Sequence, residues 1–268
     1  MPIGPARMPL FDHLGELRRR LTIIVAAVLV VTVGLYLVSD TLVYILVRPI
    51  IQFVTTPEIA AQVKGAADLS TYHILNVQDV FGAFALRFKV SFFFGLLATT
   101  PIWVWQLLAF FLPALKPNER HWVVPTFIVA ILLFFLGAIF CYFVILDPAF
   151  GWLLDQAKGI GNVLPFADSY VGSIILFELG FGLAFQLPLI VFYLTVFNII
   201  PYKKLRKSWR VVYIVLMVIS AVITPDASPI TMILMFAALT ILYEASLFMA
   251  RIVISRRMAR QKAEEAAA

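Results

Sequence analysis

Between Trp122 and Leu146 the chain runs for 25 residues without an Asp, Glu, Lys or Arg. A helix rises about 1.5 Å per residue, so about 20 apolar residues cross the roughly 30 Å hydrocarbon core of a bilayer. A backbone inside hydrocarbon must satisfy its own hydrogen bonds, which leaves a helix or a closed barrel. A barrel needs short segments of alternating polarity, and the sequence lacks that pattern. Further apolar runs occupy about 21–38, 78–113, 170–199, 209–224 and 229–250. The 268 residues are 62% hydrophobic and 13% charged, with mean hydropathy +0.98, against about 25% charged in a soluble domain. These features predict an all-α, polytopic membrane protein with six transmembrane helices. One membrane domain covers 1–252, and a basic then Ala/Glu-rich tail, 253–268, reads as disordered.

Six spans place both termini on one side, and the cations choose it. Arg7, Arg18, Arg19, Arg20, Lys116, Arg120, Lys203, Lys204, Arg206, Lys207, Arg210 and the five cations from Arg251 to Lys262 collect on the terminal side. That is 16 of the 21 Lys and Arg residues, so both termini are expected in the cytoplasm. The opposite side holds Arg48, Lys64 and Lys158, with Arg87 and Lys89 at the base of the second span. The first run has acids upstream and ends in Val-Ser-Asp without an Ala-x-Ala site, so it reads as an uncleaved anchor. The last two spans are short. Fifteen helical residues reach about 22 Å, so either the bilayer thins there or polar ends rest in the interface.

Much chemistry is excluded. Cys141 is the single cysteine, so no internal disulfide forms. No Gly-x-x-x-x-Gly-Lys loop is present to cradle phosphate. His13, His73 and His121 are isolated outside the spans, without an HExxH pair, so no metal site is expected. No Gly-x-Ser-x-Gly occurs, and no histidine lies at membrane depth to activate a serine. The chain reads as a non-enzyme without a cofactor. Its net charge of +6 sits beside the spans and is not a nucleic-acid signal.

Two sets of polar residues stand out. In Met8–Leu21, leucines at 10, 14, 17 and 21 make a narrow helical stripe. His13, Glu16 and Arg20 share one flank of it, and Arg18 lies on the other. This predicts a short amphipathic helix on the membrane surface, which then turns into the bilayer; a plain cationic anchor with an i,i+4 ion pair is the simpler alternative. In the fourth span, Glu178 and Gln186 are eight residues apart, about 12 Å along and about 80° around a helix. Gly180 and Gly182 between them allow another helix close. Glu244 in the sixth span is placed to snorkel, and Pro101 and Pro188 are placed to kink their spans toward a concave bundle. Ionisable groups at this depth serve either as interhelical glue or as a polar face for a partner. A proton-coupled small-solute transporter using Glu178 and Glu244 is the competing function, and a ligand-free scaffold is the third.

The stretch His13-Leu-Gly-Glu16-Leu-Arg18-Arg-Arg20-Leu21 resembles the N-terminal signature of the C subunit of the twin-arginine protein translocase, TatC. So do Arg48-Pro49, Ala109-Phe110 through Pro113-Ala-Leu with Glu119-Arg120, Phe181–Pro188, and Thr224-Pro-Asp226. The likeness covers about 8–255. It implies a glove-shaped, six-helix receptor in the cell membrane that binds twin-arginine signal peptides of folded proteins at its cytoplasmic face. The implied partners are the single-span TatB and TatA subunits, membrane lipid and further copies of the chain. The resemblance also implies transport driven by the proton-motive force. Glu16 and Glu119 match acids that receive the arginine pair, and Arg18 and Arg20 match basic positions that hold those acids. Pro49, Phe110 and Asp226 match positions needed for translocation. Many relatives carry glutamate where this chain has Gln186; Glu178 is then a candidate to supply the missing carboxylate.

Overall fold

The computed structural model describes residues 10–50, 77, 80–111, 123–157, 166–196, 199–224 and 228–267. Every regular element along them is helical. The chain divides into two compact units, Met1–Leu132 with Ala157–Ile175, and Leu133–Gln156 with Leu176–Ala268.

The first unit begins with α1 (Leu10–Tyr36) and α2 (Ser39–Val47), followed by a 3₁₀ turn at Arg48–Ile50. The chain then enters α3 (Val80–Ala98), α4 (Thr100–Phe111) and the start of α5 (Val123–Phe140). α1 packs on α3 and α4, and α2 packs on α3. The expected surface helix and turn at the N-terminus are replaced by one continuous rod of 27 residues. Between 10 and 36 there is no proline, and Gly15 and Gly34, far apart, each cost only about 1 kcal/mol against alanine, too little to break a helix. Leu14, Leu17 and Leu21 stay 58%, 40% and 56% exposed, so the leucine stripe is an outer face. The rod tightens at its end, where Leu37 and Val38 donate to Gly34 and Leu35 three residues back, at 3.4 and 3.1 Å.

The second apolar run is two helices where one was expected. Pro101 lacks an N–H and its ring crowds the carbonyl four residues earlier. The chain breaks at Thr99, and Ile102 bonds to Thr99 O at 2.9 Å in an i→i+3 contact. The Thr99 hydroxyl donates to Gly95 O at 2.8 Å, and Trp103 Nε1 donates to Leu96 O at 3.1 Å.

The second unit contains the rest of α5, a π turn at Cys141–Ile145 and α6 (Leu146–Ala157). It continues with the second half of α7 (Ala167–Ala184), then α8 (Leu187–Val196) and α9 (Tyr202–Lys207), and ends with α10 (Trp209–Ile223) and α11 (Pro229–Ala267). α11 packs against α8 and α10. The third apolar run closes at Leu146, and the Asp147-Pro148 dipeptide that follows ordinarily opens a loop. Instead the helix continues to Ala157. Leu146 N–H reaches Cys141 O, five residues back. That wider turn absorbs the donor and the space that Pro148 removes from a regular ladder. Pro188 breaks the fourth run as expected: Gln186 N–H bonds Leu183 O at 3.0 Å before α8 resumes.

Gly180 and Gly182 do admit neighbours closely. A Cβ on Gly182 would lie 2.8 Å from the Phe134 ring, and one on Gly180 would lie 2.9 Å from Ile223 Cγ2. Gly137 completes the contact from α5, where a Cβ would sit 2.6 Å from the Phe181 carbonyl oxygen.

Among the described residues, five helices are long and apolar enough to cross a membrane: His13–Tyr36, Phe81–Ala98, Val123–Gln156, Ala167–Val196 and Pro229–Ser255. Of the two last spans expected to be short, α10 has the apolar character but only 15 residues, whereas the last is not short, because Pro229–Ser255 gives 27 residues of one continuous helix. The tail that reads as disordered is a continuation of α11, which runs to Ala267. After Pro229 the segment contains neither Gly nor Pro, and its Ala, Glu, Arg, Lys, Gln and Met are strong helix formers.

Candidate functional site

The N-terminal turns of α1 carry His13, Glu16 and Arg20 on one face because they are spaced three and four apart. Arg20 donates to Glu16 Oε1 through Nε at 2.9 Å and through a second, shorter contact from Nη2. Its Nη1 donates to Gln106 Oε1 on α4 at 3.2 Å. The Arg20 and Glu16 side chains are 24% and 21% exposed. Glu16 Oε2 is buried and has no hydrogen-bond partner among the described residues. His13 Nδ1 stands 3.8 Å from that oxygen. The His13 ring stacks on Phe110 with centroids 4.3 Å apart and planes at 14°.

This arrangement presents a carboxylate with one oxygen held by Arg20 and the other buried without a hydrogen bond among the described residues. A guanidinium forks onto a carboxylate through paired N–H donors, whereas an ammonium is a point charge. The site therefore has the chemistry to accept an arginine side chain. Arg20 is hydrogen-bonded to Glu16 on the same helix. Arg18 does not join it: its side chain is exposed and makes no ion pair among the described residues. Glu119 and Asp226 lie outside the described residues, so the expected pairing of Glu119 with Glu16 has no geometry here.

Pro49 sits half-buried in the 3₁₀ turn after α2. Phe110 forms the roof over His13. Glu178 is 5% exposed, and its Oε1 has no hydrogen-bond partner among the described residues. Gln186 lies in the break between α7 and α8, half-buried. The regular 80° register between Glu178 and Gln186 stops at that break, so the two do not share an uninterrupted helix face.

Several polar partners escape a reading of the sequence. Gln106 is one, a neutral amide within an apolar helix whose partner Arg20 lies 86 positions away. Arg87 pairs with Asp40 at 2.7 Å, and Lys89 pairs with Asp168. Both cations, expected at the base of the second span, lie midway along the apolar helix Phe81–Ala98, and their partners on α2 and α7 come from the fold. Arg206 and Tyr213 bind Glu244, so this acid on α11 is paired.

The family described as Sec-independent protein translocase protein (TatC) has a sequence model that matches residues 12–237. The chain belongs to the TatC family. A TatC protein of Deinococcus radiodurans is 32% identical over 249 residues, covering 92% of this chain and 87% of that one. The TatC protein of Aquifex aeolicus is 30% identical over 258 residues, covering 96% of this chain and all of that one. A crystal structure of the twin-arginine translocase receptor TatC superposes with a TM-score of 0.69 at 27% identity, over 90% of this chain and 99% of that one. The same receptor crystallised in the detergent DDM gives a TM-score of 0.67. As a TatC family member the chain is a multi-pass membrane protein and a component of the Sec-independent protein translocase.

Proposed function

We propose that this chain is the signal-peptide receptor of a twin-arginine export machine, with six spans and both termini in the cytoplasm. Glu16 and Glu119 receive the paired arginines of an incoming signal peptide at the cytoplasmic face. Arg20 holds Glu16 in place, and Arg18 is a second basic neighbour. The observation that carries this reading is the Glu16 carboxylate, one oxygen fixed by Arg20 and the other buried without a hydrogen bond among the described residues. The surrounding surface is basic, which repels cationic peptides in general. A defined acid pocket is therefore required, and Glu16 belongs to one. Pro49, Phe110 and Asp226 serve translocation, and Gln186 and Glu178 face the partner helices of TatA and TatB. Further copies of the chain and membrane lipid complete the assembly. The complex uses the proton-motive force and performs no catalysis of its own.

The test is photo-crosslinking from positions 16 and 119 in membranes, with a twin-arginine peptide beside its twin-lysine version. The reading expects crosslinks to the arginine peptide from both positions and loss of peptide binding in Glu16→Ala and Glu119→Ala. Equal crosslinking of both peptides, or binding unaffected by either substitution, overturns it. A proton-coupled solute transporter instead predicts substrate-dependent proton flux in liposomes holding this chain alone.

A further inference from the structure

Arg20 occupies, from within the chain, the position that a ligand guanidinium would seek. Two of its N–H groups already converge on Glu16 Oε1. An incoming guanidinium that forks onto both oxygens of Glu16 must share that oxygen or displace Arg20. A displaced Arg20 is a part-buried cation, and leaving its donors unmet is costly. Gln106 is the acceptor within reach: its Oε1 already takes Arg20 Nη1 at 3.2 Å. The orientation of that amide is fixed by chemistry, because arginine has donors only and the amide oxygen must face it.

We infer that Gln106 is a positioning residue of the arginine-recognition site, the acceptor onto which Arg20 shifts when a ligand guanidinium takes Glu16. A neutral amide binds a guanidinium more weakly than a carboxylate does. Arg20 therefore rests on Glu16 while the site is empty, which spares that carboxylate a solitary burial. It leaves for Gln106 only when another guanidinium replaces its charge. The exchange centres on Oε2, the buried oxygen that Arg20 leaves without a hydrogen bond among the described residues, with His13 Nδ1 3.8 Å away and the His13 ring held by its stack on Phe110. Gln106 acts through Arg20 and need not touch the peptide.

This inference rests on the receptor reading, and the experiment separates the two. The full chain in lipid nanodiscs is titrated with a fluorescent twin-arginine signal peptide, and Kd is read by anisotropy. Gln106→Leu removes the second acceptor and traps Arg20 on Glu16. Its Kd is expected to rise about 10-fold, the scale of one hydrogen bond to a charged group. Gln106→Glu attracts Arg20 more strongly and is expected to bind as tightly as the parent or tighter. A merely structural role for Gln106 predicts that both substitutions weaken binding alike, and that result overturns the inference. Should Gln106→Leu lower the unfolding temperature, Gln106→Glu alone decides: weakened binding refutes the role, and retained or tightened binding supports it. Glu16→Gln tests the parent reading separately. If it leaves Kd unchanged, the receptor site itself is wrong, whatever Gln106 does.

Discussion

Arg206 donates through Nη1 to both carboxylate oxygens of Glu244, at 2.8 and 3.1 Å, across 38 positions of sequence. Tyr213 adds a third donor contact, its hydroxyl 2.9 Å from Glu244 Oε1. One acid thus ties α9, α10 and α11 together. The Arg206 and Glu244 side chains are 57% and 36% exposed, so solvent screens the pair. Arg206→Ala is expected to cost no more than about 1 kcal/mol in reversible unfolding from micelles. The charge-reversed pair Arg206→Glu with Glu244→Arg should recover most of what either single reversal loses. A loss of several kcal/mol from Arg206→Ala would show that the cluster is shielded from water.

The glycine contact between α5 and α7 makes a sharper claim. The Phe181 carbonyl oxygen lies 2.6 Å from where a Cβ on Gly137 would sit, so Gly137→Ala must push the helices apart. It is expected to destabilise by about 1–3 kcal/mol, the usual range for overpacking. Gly34 has nothing within 4 Å of the same added atom. Gly34→Ala is expected to stabilise by up to about 1 kcal/mol, through helix propensity alone. Thermal unfolding of both variants in one detergent checks the contrast, and equal effects refute it.

Glu178 bears on the carboxylate that many relatives hold at the Gln186 position. If Glu178 supplies it, Glu178→Gln lowers export in cells at least several-fold, and adding Gln186→Glu restores it. Secretion of a folded twin-arginine reporter is the measurement. Unchanged export in Glu178→Gln together with complete loss in Gln186→Leu would assign the role to Gln186.

Pro188 predicts a backbone effect. Pro188→Ala returns an N–H donor to the carbonyl of Ala184, which lies just before the break at Phe185 and Gln186. Slower amide exchange at 185–188 is expected, with a cost of about 1 kcal/mol or more for the lost buried ring atoms. Exchange rates unchanged from the parent would mean that packing around Gln186, and not the proline, maintains the break.

The break at Pro188 is legible in the sequence because proline acts through its own ring and missing donor. The break at Thr99 has the same origin in Pro101, yet the apolar pattern alone reads as one helix to Pro113; proline gives the kink but not its sharpness. Asp147-Pro148 misleads in the other direction. A loop dipeptide in most settings, it is accommodated here by a π turn beginning at Cys141, which depends on backbone bonding six residues earlier. At the site, the shared flank of His13, Glu16 and Arg20 follows from helical spacing. Gln106 escapes notice because a neutral amide in an apolar run has no distinctive pattern, and its partner lies 86 positions away.

The sequence by itself determined that this chain is helical and enters a membrane repeatedly, because hydrocarbon admits only backbones that bond internally and the apolar runs are long enough to do so. It also determined the acid and base that meet on α1, since a helix brings residues four apart together wherever it is placed. The tertiary structure alone decided which distant groups meet: Gln106 with Arg20, Arg206 with Glu244, Gly137 with Phe181. Such contacts depend on how separate helices are rotated and shifted against one another, and the packing of many side chains at once sets those positions.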